Sequence, residues 1–141
     1  MKDSFIIRLE DGMPKGTSQQ KGECVRYKFV QDKRIPYVHH FKKDNVSTFR
    51  KIMTWSLKPH RPKAPCERPV RLFIVAYFDV KERSKWGRVK PTRPDLDNWA
   101  KECIDSMIPD FFKDDSLIVD LHIKKYYAEK ASVYVEWEEI E

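Results

Sequence analysis

What the sequence lacks narrows it first. No stretch approaches the roughly 18 consecutive apolar residues that a membrane-spanning helix needs, and the first residues, Met1-Lys2-Asp3-Ser4, run into a strand-like segment without the apolar region of a signal peptide. The expectation is a protein that does not enter a membrane and stays in the cytoplasm. Cysteine is limited to Cys24, Cys66 and Cys103, an odd set with neither CxxC nor Cys/His ligand spacing. That argues against a disulfide scaffold and against structural zinc, and for a reduced compartment. No internal repeat or low-complexity tract is present.

What remains is one ordinary domain. The 141 residues are 40% hydrophobic, 35% charged and 13% aromatic. A packed core is affordable and disorder is disfavoured, because so many aromatic side chains need partners. The net charge of +6 conceals a split. Residues 95–141 hold 5 Lys/Arg against 13 Asp/Glu, whereas residues 1–94 hold 23 against 9. A basic surface suited to a polyanion, beside an acidic site, accounts for that asymmetry; a chance division in a highly charged chain is the plain alternative.

Patterning yields the elements. Ser4 to Glu10 reads as a first strand and Gly12 to Thr17 as a breaker-rich loop. Val25 to Val30 and Ile35 to Phe41, separated by Gln31-Asp32-Lys33, read as a hairpin. A helix follows to about Lys58, capped by Asn45 or Ser47, with Phe49, Ile52, Met53 and Leu57 at helical spacing. Arg71 to Phe78 is apolar on both faces, as at the centre of a covered sheet. Lys81 to Arg93, with six bases against one acid, reads as a long exposed loop. Asp95 to Met107 is an amphipathic helix with Leu96, Trp99, Ala100, Cys103, Ile104 and Met107 on its stripe. Leu117, Val119, Leu121 and Ile123 alternate as a strand's core face, and Ala131 to Trp137 supplies the last strand. The expected fold is α/β (α+β): a single domain over 1–141, a mixed sheet with two main helices.

The candidate chemistry sits at Arg93-Pro94-Asp95-Leu96-Asp97-Asn98, with Lys101 one turn on and Asp114-Asp115 ahead of the next strand. Carboxylates are the natural ligands of hard divalent cations, and such an ion polarises a phosphodiester and acidifies a bound water. Residues two apart inside a helix face different sides. Sharing an ion therefore requires Asp95 at the non-helical N-cap, Asp97 in the first turn, and a connection that returns Asp115 to the same end. Each piece also has an ordinary explanation. Asp95 suits a helix cap worth ~0.5–2 kcal/mol, Asp97–Lys101 suits an i,i+4 ion pair worth ~0.3–0.5 kcal/mol, and Asp114-Asp115 suits a solvated turn. His39, His40 and His122 read as half-exposed strand residues, and Trp86 as either a stacking or an interface residue.

Pro94-Asp95-Leu96-Asp97-Asn98, Lys101, Asp105, Asp114-Asp115-Ser116 and the strand end Lys124-Lys125-Tyr126 resemble the RusA family of Holliday junction resolvases. Gly12-Met13-Pro14-Lys15-Gly16 is similar to that family's N-terminal loop. Where many relatives have Leu-Asn-Gly after the helix, this chain has Met107-Ile108-Pro109. The resemblance implies a magnesium-dependent endonuclease (manganese as the other ion), mostly of phage or prophage origin and concerned with DNA recombination and repair. It implies a homodimer that nicks four-way or branched DNA symmetrically. By position, Asp95, Asp97 and Asp115 become the metal-binding catalytic carboxylates, Lys101 the catalytic lysine, and Asp114 an accessory group. Lys15, Lys85, Arg88, Lys90 and Arg93 then become DNA contacts. Competing expectations are a branched-DNA binding protein without turnover, a nuclease of flaps or forks, and a phosphatase or nucleotide-sugar transferase, whose paired aspartates typically end a strand.

Overall fold

The structure is a computed structural model that describes residues 1–15, 21–42 and 44–141, with side chains placed except at 21–24, 40–42 and 44–47. In chain order the elements are β1 (Lys2–Arg8), β2 (Lys21–Val30), β3 (Lys33–Lys42), α1 (Asp44–Leu57), β4 (Val70–Asp79), α2 (Leu96–Asp105), β5 (Ile118–Ala128) and β6 (Ser132–Glu139). Single 3-10 turns occupy Lys58–His60, Arg83–Lys85 and Asp115–Leu117. Four strands form a mixed sheet in the order β1-β6-β4-β5, with β4 and β5 parallel and the other pairs antiparallel. β2 and β3 form a separate ribbon whose turn residues, Gln31 and Asp32, have φ of 51° and 64°, as a two-residue hairpin turn requires. This is the expected α+β architecture. No helix among the described residues is long and apolar enough to cross a membrane. Asn45 and Ser47, expected as caps of the first helix, instead lie inside α1, which already begins at Asp44, while Gly16 and Thr17 lie outside the described residues.

One face of the sheet carries the core. Val70, Leu72, Ile74, Ala76 and Phe78 of β4 are buried against both helices. From α1 come Phe49, Met53 and Leu57, and from α2 Trp99, Ala100, Cys103 and Ile104. Trp99 joins the layers, meeting Phe49 edge-on at 6.4 Å and Phe78 at 6.0 Å. Burial pushes the Cys103 thiol up to about 12, so it is an inert core group.

Three expectations are corrected. β4 is interior to the sheet, but its second face is covered only in part, with Val75 buried and Phe73 and Tyr77 half-buried. That face is screened by neighbouring strands, with Tyr134 against Phe73 and Tyr126 stacked on Tyr77, while Arg71 is exposed. Ile52 of α1 is exposed rather than part of the core stripe. On β5 the alternation does not describe a buried face. A register shift sets Val70 opposite Ile118 but Arg71 opposite Asp120, which skips Val119. Leu121 and Ile123 do align with Leu72 and Ile74, yet Leu121 is 44% exposed because β5 is an edge strand.

One ion pair ties the two helices. Arg50 Nε of α1 donates to Glu102 Oε1 at 2.6 Å, and its Nη2 to Asp105 at 3.1 Å. Glu102 is fully buried, and its Oε2 has no hydrogen-bond partner. Removing the arginine strands a buried carboxylate, which is more costly than losing the pair as a unit. Arg50→Ala is expected to destabilise the fold by about 3 kcal/mol, and Glu102→Gln in that background to recover part of the loss, read by chemical denaturation.

Candidate active site

The start of α2 is held by β5. Lys125 Nζ donates to the Thr92 carbonyl at 2.6 Å and the Pro94 carbonyl at 2.7 Å. Burial and then the nearby Lys90 charge pull the Lys125 ammonium below the ordinary lysine range, and Asp95 opposes them. Asp95 is the N-cap, with φ −61° and ψ 134°, and its carbonyl accepts the first helical bond from Trp99 N at 3.0 Å. Its carboxylate accepts no capping hydrogen bond. The helix-cap explanation therefore covers Asp95's backbone but gives its carboxylate, which faces the Lys125 charge, no capping bond. Asp97 follows in the first turn, and both carboxylates are exposed.

Lys101 does not pair with Asp97. Its Nζ stands 3.8 Å from Asp105 Oδ2, one turn the other way. Asp114, by contrast, does cap: its carboxylate accepts from Ser116 N at 2.8 Å, and hydrogen bonding from Ser116 holds it below the usual carboxylate range. Asp115 opens the following 3-10 turn and is exposed.

Between α2 and β5 runs a groove of about 740 Å³. Leu96, Ala100, Ile104, Ile118, Leu121 and Ile123 form its apolar walls, and Asp97, Lys101, Asp105 and Asp115 supply the charge. Asp97 and Asp115 stand at opposite ends of it. Pro94 is held by Lys125, which pairs with Ala76 high on β4, whereas Asp115 leads into Ile118, which pairs with Val70 at the foot. Seven residues of β5 separate those levels, roughly 23 Å, and the 10-residue α2 is about 15 Å long. The return of Asp115 to the start of α2 is thus not made within one chain. Instead of extending, the connection turns as far as Phe111 and is then clamped by Cys66 N to Phe111 O at 2.8 Å and Lys113 N to Cys66 O at 3.0 Å. Among the described residues no three His, Cys, Asp or Glu groups are gathered as a metal site.

The basic segment Lys81 to Arg93 is a strap rather than a free loop. Gly87 N donates to Tyr127 O at 2.9 Å, Tyr127 N to Arg88 O at 2.8 Å and Lys90 N to Lys125 O at 3.2 Å, with a bridge between Val89 and Tyr126. The strap covers the upper edge of β5 and delivers Arg93 to the start of α2. Arg88 and Arg93 are exposed. Lys85 reaches Glu82 at 3.0 Å, and Lys90 reaches Thr92 Oγ1 at 2.6 Å while lying 5.1 Å from the Tyr127 ring centre. Trp86 is half-buried and donates its indole N–H to Val80 O at 2.9 Å, closing the strap on itself.

Lys15 is exposed, in a loop docked at the same end of the sheet: Met13 N donates to Asp79 Oδ1 at 2.9 Å. Gly12 permits this approach. Its φ is +88°, and a Cβ there would meet Asp79 Oδ2 at 3.0 Å. His122 bonds Asp120 at 2.9 Å on the far face of the sheet, away from the groove. His39 is half-buried, and the His40 side chain is among those not described.

With this geometry in hand, comparison with known proteins is specific. The family model "Endodeoxyribonuclease RusA" matches residues 12–138. The chain belongs to the RusA family. The matched span takes in the Gly12 loop, the strap, both ends of the groove and Lys125. A Lactococcus phage r1t protein, "Crossover junction endodeoxyribonuclease rusA", is 34% identical over 143 residues, 99% of this chain and 100% of that protein. A Bacillus subtilis protein, "Uncharacterized protein YqaN", is 31% identical over 98 residues, 62% of this chain and 69% of that one. This RusA-family chain is a crossover junction endodeoxyribonuclease, and the family implies a metal-dependent nuclease.

Lys125 is the site residue that sequence inspection left without a role. It lay in the family-like Lys124-Lys125-Tyr126 segment, but only the fold shows a lysine holding the peptide ahead of Asp95. Lys125→Met is expected to cost about 1–3 kcal/mol in lost charge-assisted hydrogen bonds and to lower junction cleavage at least tenfold. Melting curves and gel-resolved cleavage rates check both.

Proposed function

We propose that this RusA-family enzyme resolves four-way DNA junctions by paired symmetric nicks, acting as a two-fold pair in which a second copy's Asp115 completes each site. The observation that carries this reading is the Asp95 carboxylate, exposed at an N-cap without making the cap bond. Together with Asp97 it forms the outward carboxylate pair that magnesium commonly uses while keeping several waters. The donor set fits: hard oxygen ligands, with no soft donor assigned to it. When bound, such an ion supplies Lewis-acid charge to a phosphodiester and a water acidic enough to attack it near neutral pH; manganese suits the same oxygens.

The chain's own residues do the rest. Lys101 is exposed and held only loosely by Asp105 at 3.8 Å, so it is free to meet the charge that develops on the scissile phosphate. Arg88 and Arg93, with Lys85, Lys90 and Lys15, neutralise flanking phosphates. Asp114 fixes the turn that presents Asp115. A junction presents two related strands, which a two-fold pair matches with two related sites. The phage relative's name supports the same substrate.

The test is cleavage of a labelled four-way junction beside linear duplex of the same sequence, with and without magnesium. Paired symmetric nicks that require both magnesium and Asp97 are expected; tight, salt-sensitive junction binding without nicking in magnesium or manganese would contradict the proposal. Asp97→Asn should abolish cleavage yet leave metal-free stability equal or higher, because it removes carboxylate repulsion, while magnesium raises the melting temperature of the unsubstituted protein alone. Lys101→Ala should keep junction binding and lose rate.

A further inference from the structure

The β2–β3 ribbon has a surface that nothing in its own chain covers. All 14 residues from Val25 to Val38 are exposed although they form a regular antiparallel hairpin. An isolated two-stranded hairpin is marginal in water, so its exposed faces invite a partner. Register divides them. Val25, Tyr27 and Phe29 share one face with Arg34, Pro36 and Val38, and Arg34 lies flat over Tyr27 at 3.7 Å from the ring centre. Arg26, Lys28 and Val30 share the other face with Lys33, Ile35 and Tyr37. None of the ion pairs between described residues involves Arg26, Lys28 or Lys33. The one acid between Val25 and Val38 is Asp32, in the turn.

We propose that the basic face of this ribbon is a second DNA-contact surface, lying along a duplex arm of the substrate. The proposal rests on the junction reading above and adds to it a site distinct from the strap and groove. Charge complementarity selects the occupant. Three cations with no carboxylate partner among the described residues line one face of a ribbon whose 10-residue strands run about 30 Å. Phosphates recur every ~3.4 Å of axis along each DNA strand, and the major groove admits a two-stranded ribbon. Arg26 and Lys28 are two residues apart on one strand, about 6.6 Å, close enough to meet neighbouring phosphates of one DNA strand. Tyr37 lies opposite Arg26 at one end of this row, with Lys28 Nζ 5.9 Å from its ring centre, and adds a ring for contact with the sugar edge or an unstacked base.

The test uses Asp97→Asn protein without divalent metal, binding a four-way junction and a 30-base-pair duplex across 50–300 mM KCl. The triple variant Arg26→Gln/Lys28→Gln/Lys33→Gln is compared with it. At about 0.9 log units per phosphate contact, the slope of log affinity against log salt should become shallower by about 2–3, and affinity at 100 mM should fall on the order of tens-fold. Sedimentation and melting temperature should stay near the parent's values, since the substitutions remove no ion pair between described residues and only the exposed approach of Lys28 Nζ to the Tyr37 ring, 5.9 Å from its centre. Tyr27→Ser/Phe29→Ser, on the opposite face, should leave the slope unchanged. An unaltered slope in the triple variant overturns the proposal, as does weaker binding that coincides with loss of the two-fold pair, which would make this face a contact between copies. Absence of nicking by the unsubstituted protein would sink the junction reading and leave the slope comparison valid. An unaltered slope with nicking intact would sink the ribbon alone.

Discussion

The parallel pairing of β4 with β5 governs the placement of everything else. Parallel neighbours cannot be joined by a tight turn, so the chain must cross back the length of the sheet, and α2 is that crossing. Its start is therefore fixed at the carboxyl ends of the two strands, where ligands of such units usually bind, and its end at their feet. The strap, Lys125 and the Gly12 loop converge on the upper end through bonds to Tyr127, Pro94 and Asp79. Asp115, which leads into β5, is left at the lower end by the same constraint. A chain that needs all three carboxylates at one ion must obtain the third from elsewhere, and a second copy of itself supplies it most simply.

The crossing helix serves two surfaces at once. Its buried stripe carries Trp99 and Cys103 into the core, and the neighbouring face carries Asp97, Lys101 and Asp105 into the groove. Arg50 holds both faces in register from α1 by gripping Glu102 and Asp105 together. The arginine that stabilises the helix pair thus also sets the position of the carboxylate nearest Lys101, 3.8 Å from its Nζ. Stability and site geometry share that contact.

Much of this was legible in the residues. The apolar run of β4, the hairpin and the N-cap position of Asp95 each follow from local chemistry, and each is found. What was not legible depends on contacts distant in sequence. The skipped Val119 arises only where β5 meets Val70 and Arg71. The strap looked like a free loop because its partners are backbone groups of β5. Lys125 could not be assigned until its target carbonyls at Thr92 and Pro94 were in place. The charge split was only part of the story: acids of the C-terminal third also pair on the back of the sheet, where Asp120 and Glu138 flank Arg71 at 2.7 and 3.0 Å.

The division of carboxylates between the two ends of α2 is the central claim, and mixing two inactive proteins tests it most directly. Asp97→Asn and Asp115→Asn proteins, each unable to nick a four-way junction alone, would be combined, allowed to exchange subunits and assayed with magnesium. If Asp115 serves the other copy's site, each mixed pair regains one intact site, and single nicks appear. If each chain builds its own site, every site in the mixture keeps one defect. Persistent inactivity after proven subunit exchange would contradict the account.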